Sequence, residues 1–184
     1  LREQTGAGMM AAKKALEEAN GDFTKAQEVL RLAGAASAAK KSDRVAAEGV
    51  IEGYVHDGRI GVLVEINCET DFVARNEEFQ ELAHDIAMHI TALAPKYIRP
   101  EEVTEADLAK EKEIWAEQLA NEGKPAEMLE KILGGKEAKF RNESALLTQP
   151  FIKNPDVTIE QLITEKIHKL GENIQVTSFV RYEM

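Results

Sequence analysis

The feature that most limits how this chain can fold is a change of period between residues 50 and 68. Val50 to His56 and Ile60 to Cys68 flank Asp57-Gly58, which predicts a two-residue hairpin turn, and Ile60, Val62, Val64, Ile66 and Cys68 fall on one face of the second strand. A hairpin with one apolar face needs cover. The next segment supplies it, with Asn76 as a helix cap and Phe79, Leu82, Ala83, Ile86, Ile90 and Leu93 along one side of the helix that follows. Alternation returns near the end of the chain. There Ile174, Val176, Ser178, Val180 and Tyr182 alternate with polar neighbours, apart from Phe179, and predict a last strand. The expected class is α+β, an antiparallel sheet packed on helices.

The remaining segments carry helical spacing. Thr5-Gly6-Ala7-Gly8 interrupts the chain, Met9 to Ala19 predicts a helix, and Asn20-Gly21 turns it. Asp22 caps a second helix bearing Phe23, Ala26, Val29 and Leu30, which Gly34 is expected to stop. With whatever precedes Thr5, this makes a three-helix module over residues 1–41. Ala35 to Asp43 then reads as a tether, and 42–184 as the core domain. Charge supports the division, because residues 1–41 hold seven basic and five acidic side chains, a net +2, so the rest carries −12 to give the chain's total of −10. Within the core, Thr104 with Asp107 opens a helix carrying Leu108, Trp115 and Leu119 on one side, and Gly123-Lys124-Pro125 breaks it. Met128, Leu129, Ile132 and Leu133 resume the stripe, which predicts a helical hairpin at about 101–140. Thr158-Ile159-Glu160-Gln161 reads as a capping box, feeding a helix with Ile159, Leu162, Ile163, Ile167 and Leu170 that Gly171 ends.

Composition and motifs narrow the function. With 33 Asp+Glu against 23 Lys+Arg, direct nucleic-acid binding is not expected, since phosphate is held mainly by Lys and Arg. No apolar run approaches the roughly 18 to 20 residues that span a bilayer. The single cysteine, Cys68, forbids an internal disulfide, and its place on the apolar strand face reads as core rather than nucleophile. His56, His84, His89 and His168 include no zinc-protease spacing, and His84 and His89, five apart, point in different directions on a helix. Gly6-Ala7-Gly8 lacks the Gly-Lys-Ser/Thr ending of a phosphate loop, and Gly134-Gly135-Lys136 lacks the strand and the hydroxyl. No covalent chemistry, catalytic residue, cofactor or resident metal is expected. The chain opens on Leu1, and LREQTG has no basic or apolar block of a signal peptide, so a preceding segment is expected.

One stretch remains, Thr70-Asp71-Phe72-Val73-Ala74-Arg75-Asn76, which joins hairpin to helix and sets a large apolar side chain beside charge. By spacing alone Phe72 and Val73 either cap the core, the simpler reading, or form a partner-binding loop. Here the sequence becomes recognisable. Asn67-Cys68-Glu69 through Asn76 resembles the signature of the elongation factor Ts family, and Leu1-Arg2 through Met9-Met10 with Lys13-Lys14-Ala15-Leu16 is similar to that family's N-terminal module. His84-Asp85-Ile86-Ala87-Met88-His89, Gln149-Pro150-Phe151-Ile152 and Phe179-Val180-Arg181-Tyr182-Glu183 resemble its later landmarks, in the same order.

The resemblance implies a guanine-nucleotide exchange factor for elongation factor Tu, and a ubiquitin-associated-like fold for the N-terminal module. It also implies that Arg2, Met9 and Met10 grip the partner's nucleotide-binding domain. The exposed Met pair is suited to that, being apolar and adaptable. Asp71 and Phe72, with Thr70, Val73 and Arg75, match the exchange residues, Phe72 inserting near the partner's magnesium and phosphate site. The partner would be met GDP-bound and nucleotide-free, in a bacterial cytoplasm or, if a transit peptide was removed, an organelle matrix or stroma. The chain has room for one hairpin-and-helix unit where longer members have two, so it resembles the short, homodimeric form. Val180 stands where some of those carry a subunit-linking cysteine, and Ala11-Ala12 where an Asp-Cys pair is frequent. The competing readings are an adaptor that binds through its N-terminal helices, with Phe72 in the core, and an enzyme centred on Cys68.

Overall fold

The computed structural model describes residues 1–5, 7–121 and 126–184, with side chains 3, 4, 120 and 126–128 set aside. The expected interruption at Gly6, the break at Gly123-Lys124-Pro125 and the Met128 side chain lie outside these. In chain order the elements are α1 (Arg2–Thr5), α2 (Met9–Glu18), α3 (Phe23–Ala39), β1 (Glu48–His56), β2 (Ile60–Cys68), α4 (Asp71–Ala74) and α5 (Glu77–Leu93). They continue with α6 (Glu105–Asn121), α7 (Ala126–Ser144), β3 (Pro150–Phe151), β4 (Asn154–Thr158), α8 (Ile159–Leu170) and β5 (Gln175–Glu183). The class is α+β. Two compact units result, one of Leu1–Ala92 with Glu160–Met184 and the other of Leu93–Ile159.

In the first unit the N-terminal helices share a small core of Ala15, Ala19 and Ala26, flanked by Leu1, Leu16, Val29 and Leu30. Asp22 caps α3 by accepting the Lys25 N–H at 3.1 Å, and Asn20 and Gly21, at φ 50° and 81°, make the turn before it. Gly34 does not end α3. The helix runs on to Ala39, because alanines on both sides of the glycine have the highest helix propensity and outweigh its cost of about 1 kcal/mol. The segment read as a tether from Ala35 is therefore helical for its first half.

β1, β2 and β5 form an antiparallel sheet in the order β1-β2-β5. The hairpin turn holds three residues rather than two, since His56 pairs with Ile60 and the Arg59 N–H bonds to the His56 carbonyl at 2.9 Å. Val62, Val64, Ile66 and Cys68 are buried as expected, together with Phe79, Leu82, Ala83, Ile86 and Ile90 of α5. Leu93 is exposed, at the end of its helix. Strand β5 is not one continuous alternation. A register shift beside Glu65 and Ile66 leaves Thr177 as the extra residue, so Val176 faces Ile66 while Phe179, and not Ser178, faces Val64. That bulge is why Phe179 broke the sequence pattern. Side chains from both edge strands reach α5: Glu52 Oε1 lies 3.0 Å from His84 Nδ1, and the Arg181 guanidinium donates to the Thr91 carbonyl at 3.2 and 3.3 Å.

The second unit is built on α6 and α7, which run antiparallel. Lys112 bonds Glu137 at 2.8 Å, Arg141 meets Glu105 at 3.3 Å, and the Trp115 and Phe140 rings pack edge to face at 5.9 Å. Thr104 caps α6 through the Asp107 N–H at 3.2 Å. Leu108, Trp115 and Leu119 are buried as their spacing predicts. The helical pair extends to Ser144, four residues past the expected end, and is followed by the short β3-β4 ladder.

Candidate functional site

Thr70 to Asn76 is ordered as one helical turn rather than as a loop. Thr70 caps α4: its hydroxyl accepts the Val73 N–H at 3.3 Å, and its carbonyl accepts the Ala74 N–H at 3.1 Å. Val73 and Ala74 are buried and fasten the turn to the protein. Phe72 points the other way and is 79% exposed, whereas Val64, a strand residue of the core, is 0% exposed. Asp71 and Arg75 pair on the exposed side at 3.1 Å, and Asn76 starts α5 by accepting the Glu78 N–H at 2.8 Å. An aromatic ring thus stands in solvent on a turn capped at Thr70 and anchored by buried Val73 and Ala74.

The residues that fix this turn lie a hundred positions away. Gly171, at φ 82°, ends α8 and turns the chain back so that Glu172 reaches the end of β2. The Glu172 carboxylate accepts the N–H groups of Glu69 and Thr70, each at 3.0 Å, and the Thr70 hydroxyl at 2.6 Å. Glu69 answers by accepting the Asn173 N–H at 2.7 Å, and Asn173 in turn donates to the carbonyls of Ser42 and Arg44 at 3.3 and 2.8 Å. Neither Glu172 nor Asn173 belongs to the residues expected from sequence, and no local pattern marks them.

Cys68 lies at the base of the turn, buried, with its thiol donating to the Thr70 carbonyl at 3.2 Å. Burial first, and then the Glu172 carboxylate, push that thiol up to about 11. It is a poor nucleophile at neutral pH, which removes the observation an enzyme centred on Cys68 would need. Among the described residues, no group of three or more His, Cys, Asp or Glu is arranged to hold a metal.

Arg2, Met9 and Met10 lie at the N-terminal helices. Met9 and Met10 are 67% and 75% exposed, and Arg2 and Met9 line an open groove of about 1110 Å³ with Leu1, Ala12 and Leu16. A third exposed apolar surface covers the outer face of the sheet. Val55, Gly61 and Tyr182 share one row of the ladder and Gly53, Leu63 and Val180 the next, with Ile51 beyond. Val55, Leu63, Val180, Tyr182 and Ile51 are all exposed there.

The family model described as Elongation factor TS matches residues 9–184. The chain belongs to the elongation factor Ts family. It is accordingly a translation elongation factor, a component of protein biosynthesis. It is 60% identical to the elongation factor Ts of Carboxydothermus hydrogenoformans over all of this chain and 85% of that protein. It is 59% identical to that of Acetivibrio thermocellus, with 86% of that protein covered, and 57% identical to that of Moorella thermoacetica, with 91% covered. Among the described residues, no helix is long and apolar enough to cross a membrane.

Proposed function

We propose that the chain is a guanine-nucleotide exchange factor for elongation factor Tu, acting without covalent chemistry, and that Phe72 is its wedge. The observation that carries this is the exposure of Phe72 on a capped turn whose next two residues are buried. Insertion beside the partner's magnesium and phosphate site would disturb magnesium coordination and let GDP leave. Asp71, Thr70 and Arg75 shape and flank the wedge, Val73 anchors it, and Arg2, Met9 and Met10 supply a separate grip on the nucleotide-binding domain through a ubiquitin-associated-like module over residues 1–41.

Magnitudes require both contacts. Burying a phenylalanine contributes about 1.5 to 3 kcal/mol, while moving a two-state equilibrium from 1:99 to 99:1 takes about 5.5 kcal/mol of differential binding. A broad interface that prefers the nucleotide-free partner must provide the rest, and GDP then weakens factor binding by the same ratio. Stopped-flow release of a fluorescent GDP from elongation factor Tu, beside a binding titration, tests the reading. Phe72→Ala should lower the maximal release rate by more than it lowers affinity for the empty partner. Equal losses in both would sink the wedge.

The outer sheet face favours a homodimer. Five exposed apolar side chains on adjacent rows form a patch of the kind that marks an interface, and with Val180 in the last strand no disulfide across that strand is available. A cytoplasmic location, or an organelle matrix or stroma, follows from the proposed partner. The adaptor reading loses its premise, since it requires Phe72 in the core.

A further inference from the structure

We infer that Glu172, at the end of α8, is a positioning residue that holds the Thr70–Arg75 turn in the one arrangement that presents Phe72. The inference rests on the proposed exchange role of Phe72 and extends it to a residue outside the turn. Its basis is the direction of the bonds. The Thr70 hydroxyl has one hydrogen, and Glu172 Oε1 takes it at 2.6 Å, which turns the oxygen's lone pairs toward the Val73 N–H that the same hydroxyl caps at 3.3 Å. The second carboxylate oxygen takes both backbone N–H groups that lead into the turn. Without the carboxylate the Thr70 hydroxyl is free to rotate away from its cap, and two N–H groups at the end of β2 lose their acceptor. Glu69 and Asn173 close the arrangement in the opposite direction at 2.7 Å, so the turn is held from two sides of one junction. A wedge gains from such stiffness because a preformed turn does not have to be ordered at the moment of insertion, which would otherwise slow release.

The conservative substitution separates this role from general stability. In Glu172→Gln the amide oxygen still accepts the two N–H groups, and the amide N–H donates to the Thr70 oxygen in place of the bond the hydroxyl gave, leaving that oxygen's other lone pair for the Val73 N–H, so the turn is retained. In Glu172→Ala it is not. The full chain is measured in two ways, by stopped-flow release of fluorescent GDP from elongation factor Tu and by amide hydrogen exchange. We expect Glu172→Ala to lower the maximal release rate about tenfold while the half-saturating concentration moves less than about twofold, and amides 69–75 to lose about tenfold in protection while α5 keeps its own. Glu172→Gln should behave as the unaltered chain in both. In a Phe72→Ala background the further change Glu172→Ala should alter the release rate by less than about twofold, because the wedge it positions is gone. Unchanged protection of 69–75 in Glu172→Ala overturns the positioning role. Losses that multiply in the double variant overturn its assignment to Phe72. An unaltered chain that fails to speed release overturns the exchange reading itself, and amide protection then decides by itself whether Glu172 holds the turn.

Discussion

Phe72 and Val73 are adjacent and both apolar, yet one is exposed and the other buried. Within a single helical turn, neighbours are about 100° apart, so a turn fastened by Val73 and Ala74 must direct Phe72 outward. Removing an exposed ring costs the fold little, and Phe72→Ala should shift unfolding free energy by less than about 0.5 kcal/mol. Loss of release activity in that variant is then loss of the wedge, as a urea titration run beside the release assay verifies. Cys68 gives a second prediction at this scale. An ordinary thiol titrates near 9.0 and this one near 11, so at pH 8 the folded chain should react slowly with a disulfide reagent and the unfolded chain promptly. Its folded value lies above its unfolded one. Stability from this group is therefore complete below about 9 and is lost as pH rises toward about 11, a slope that Cys68→Ser should remove while leaving GDP release unaltered. Prompt reaction of the folded chain would contradict the burial.

Strand β1 depends on one position. Gly49 has φ 154°, and a Cβ there would stand 2.2 Å from the Ile66 carbonyl oxygen of β2. Backbone cannot yield as a side-chain tip can, so Gly49→Ala should cost about 3 kcal/mol or more, read as a lower urea midpoint with the start of β1 detached from β2. An unchanged midpoint would show that the strand start adjusts freely. The bulge in β5 works at the same scale. By adding Thr177 it carries Phe179 and Arg181 onto the face toward α5 and turns Val180 and Tyr182 to the outer face. The apolar outer patch is thus partly a product of one inserted residue. Strand periodicity made the hairpin and α5 legible, but a bulge shifts the phase of the alternation without leaving a composition signal.

A net charge of −10 disfavours phosphate backbones as partners, and the outer sheet face is the surface we propose for a second copy of the chain. The expected assembly is a dimer of 20.4 kDa chains, resolved by light scattering. Leu63→Asp should yield the single-chain mass with little effect on folding, because Leu63 is exposed on that face and an unpaired carboxylate buried in an interface is strongly unfavourable. If the mass of the unaltered chain is already that of one copy, the face serves another purpose. The second unit stands on its own pairs, with Glu137 held below the usual carboxylate range by Lys112 and then Arg141.

By itself the sequence determined the period of each element, the caps at Asp22, Asn76 and Thr104, the buried stripe of β2 and α5, and the identity of the stretch from Asn67 to Asn76. All of these are local, since they depend on side chains a few residues apart. Only the tertiary structure decided that Phe72 faces solvent while Val73 does not, that β5 changes phase at Thr177, and that Glu172 holds Thr70 from 102 positions along the chain. The reason is physical. Exposure and long-range hydrogen bonds are set by what the rest of the chain brings to a point in space, and spacing along the chain does not carry that.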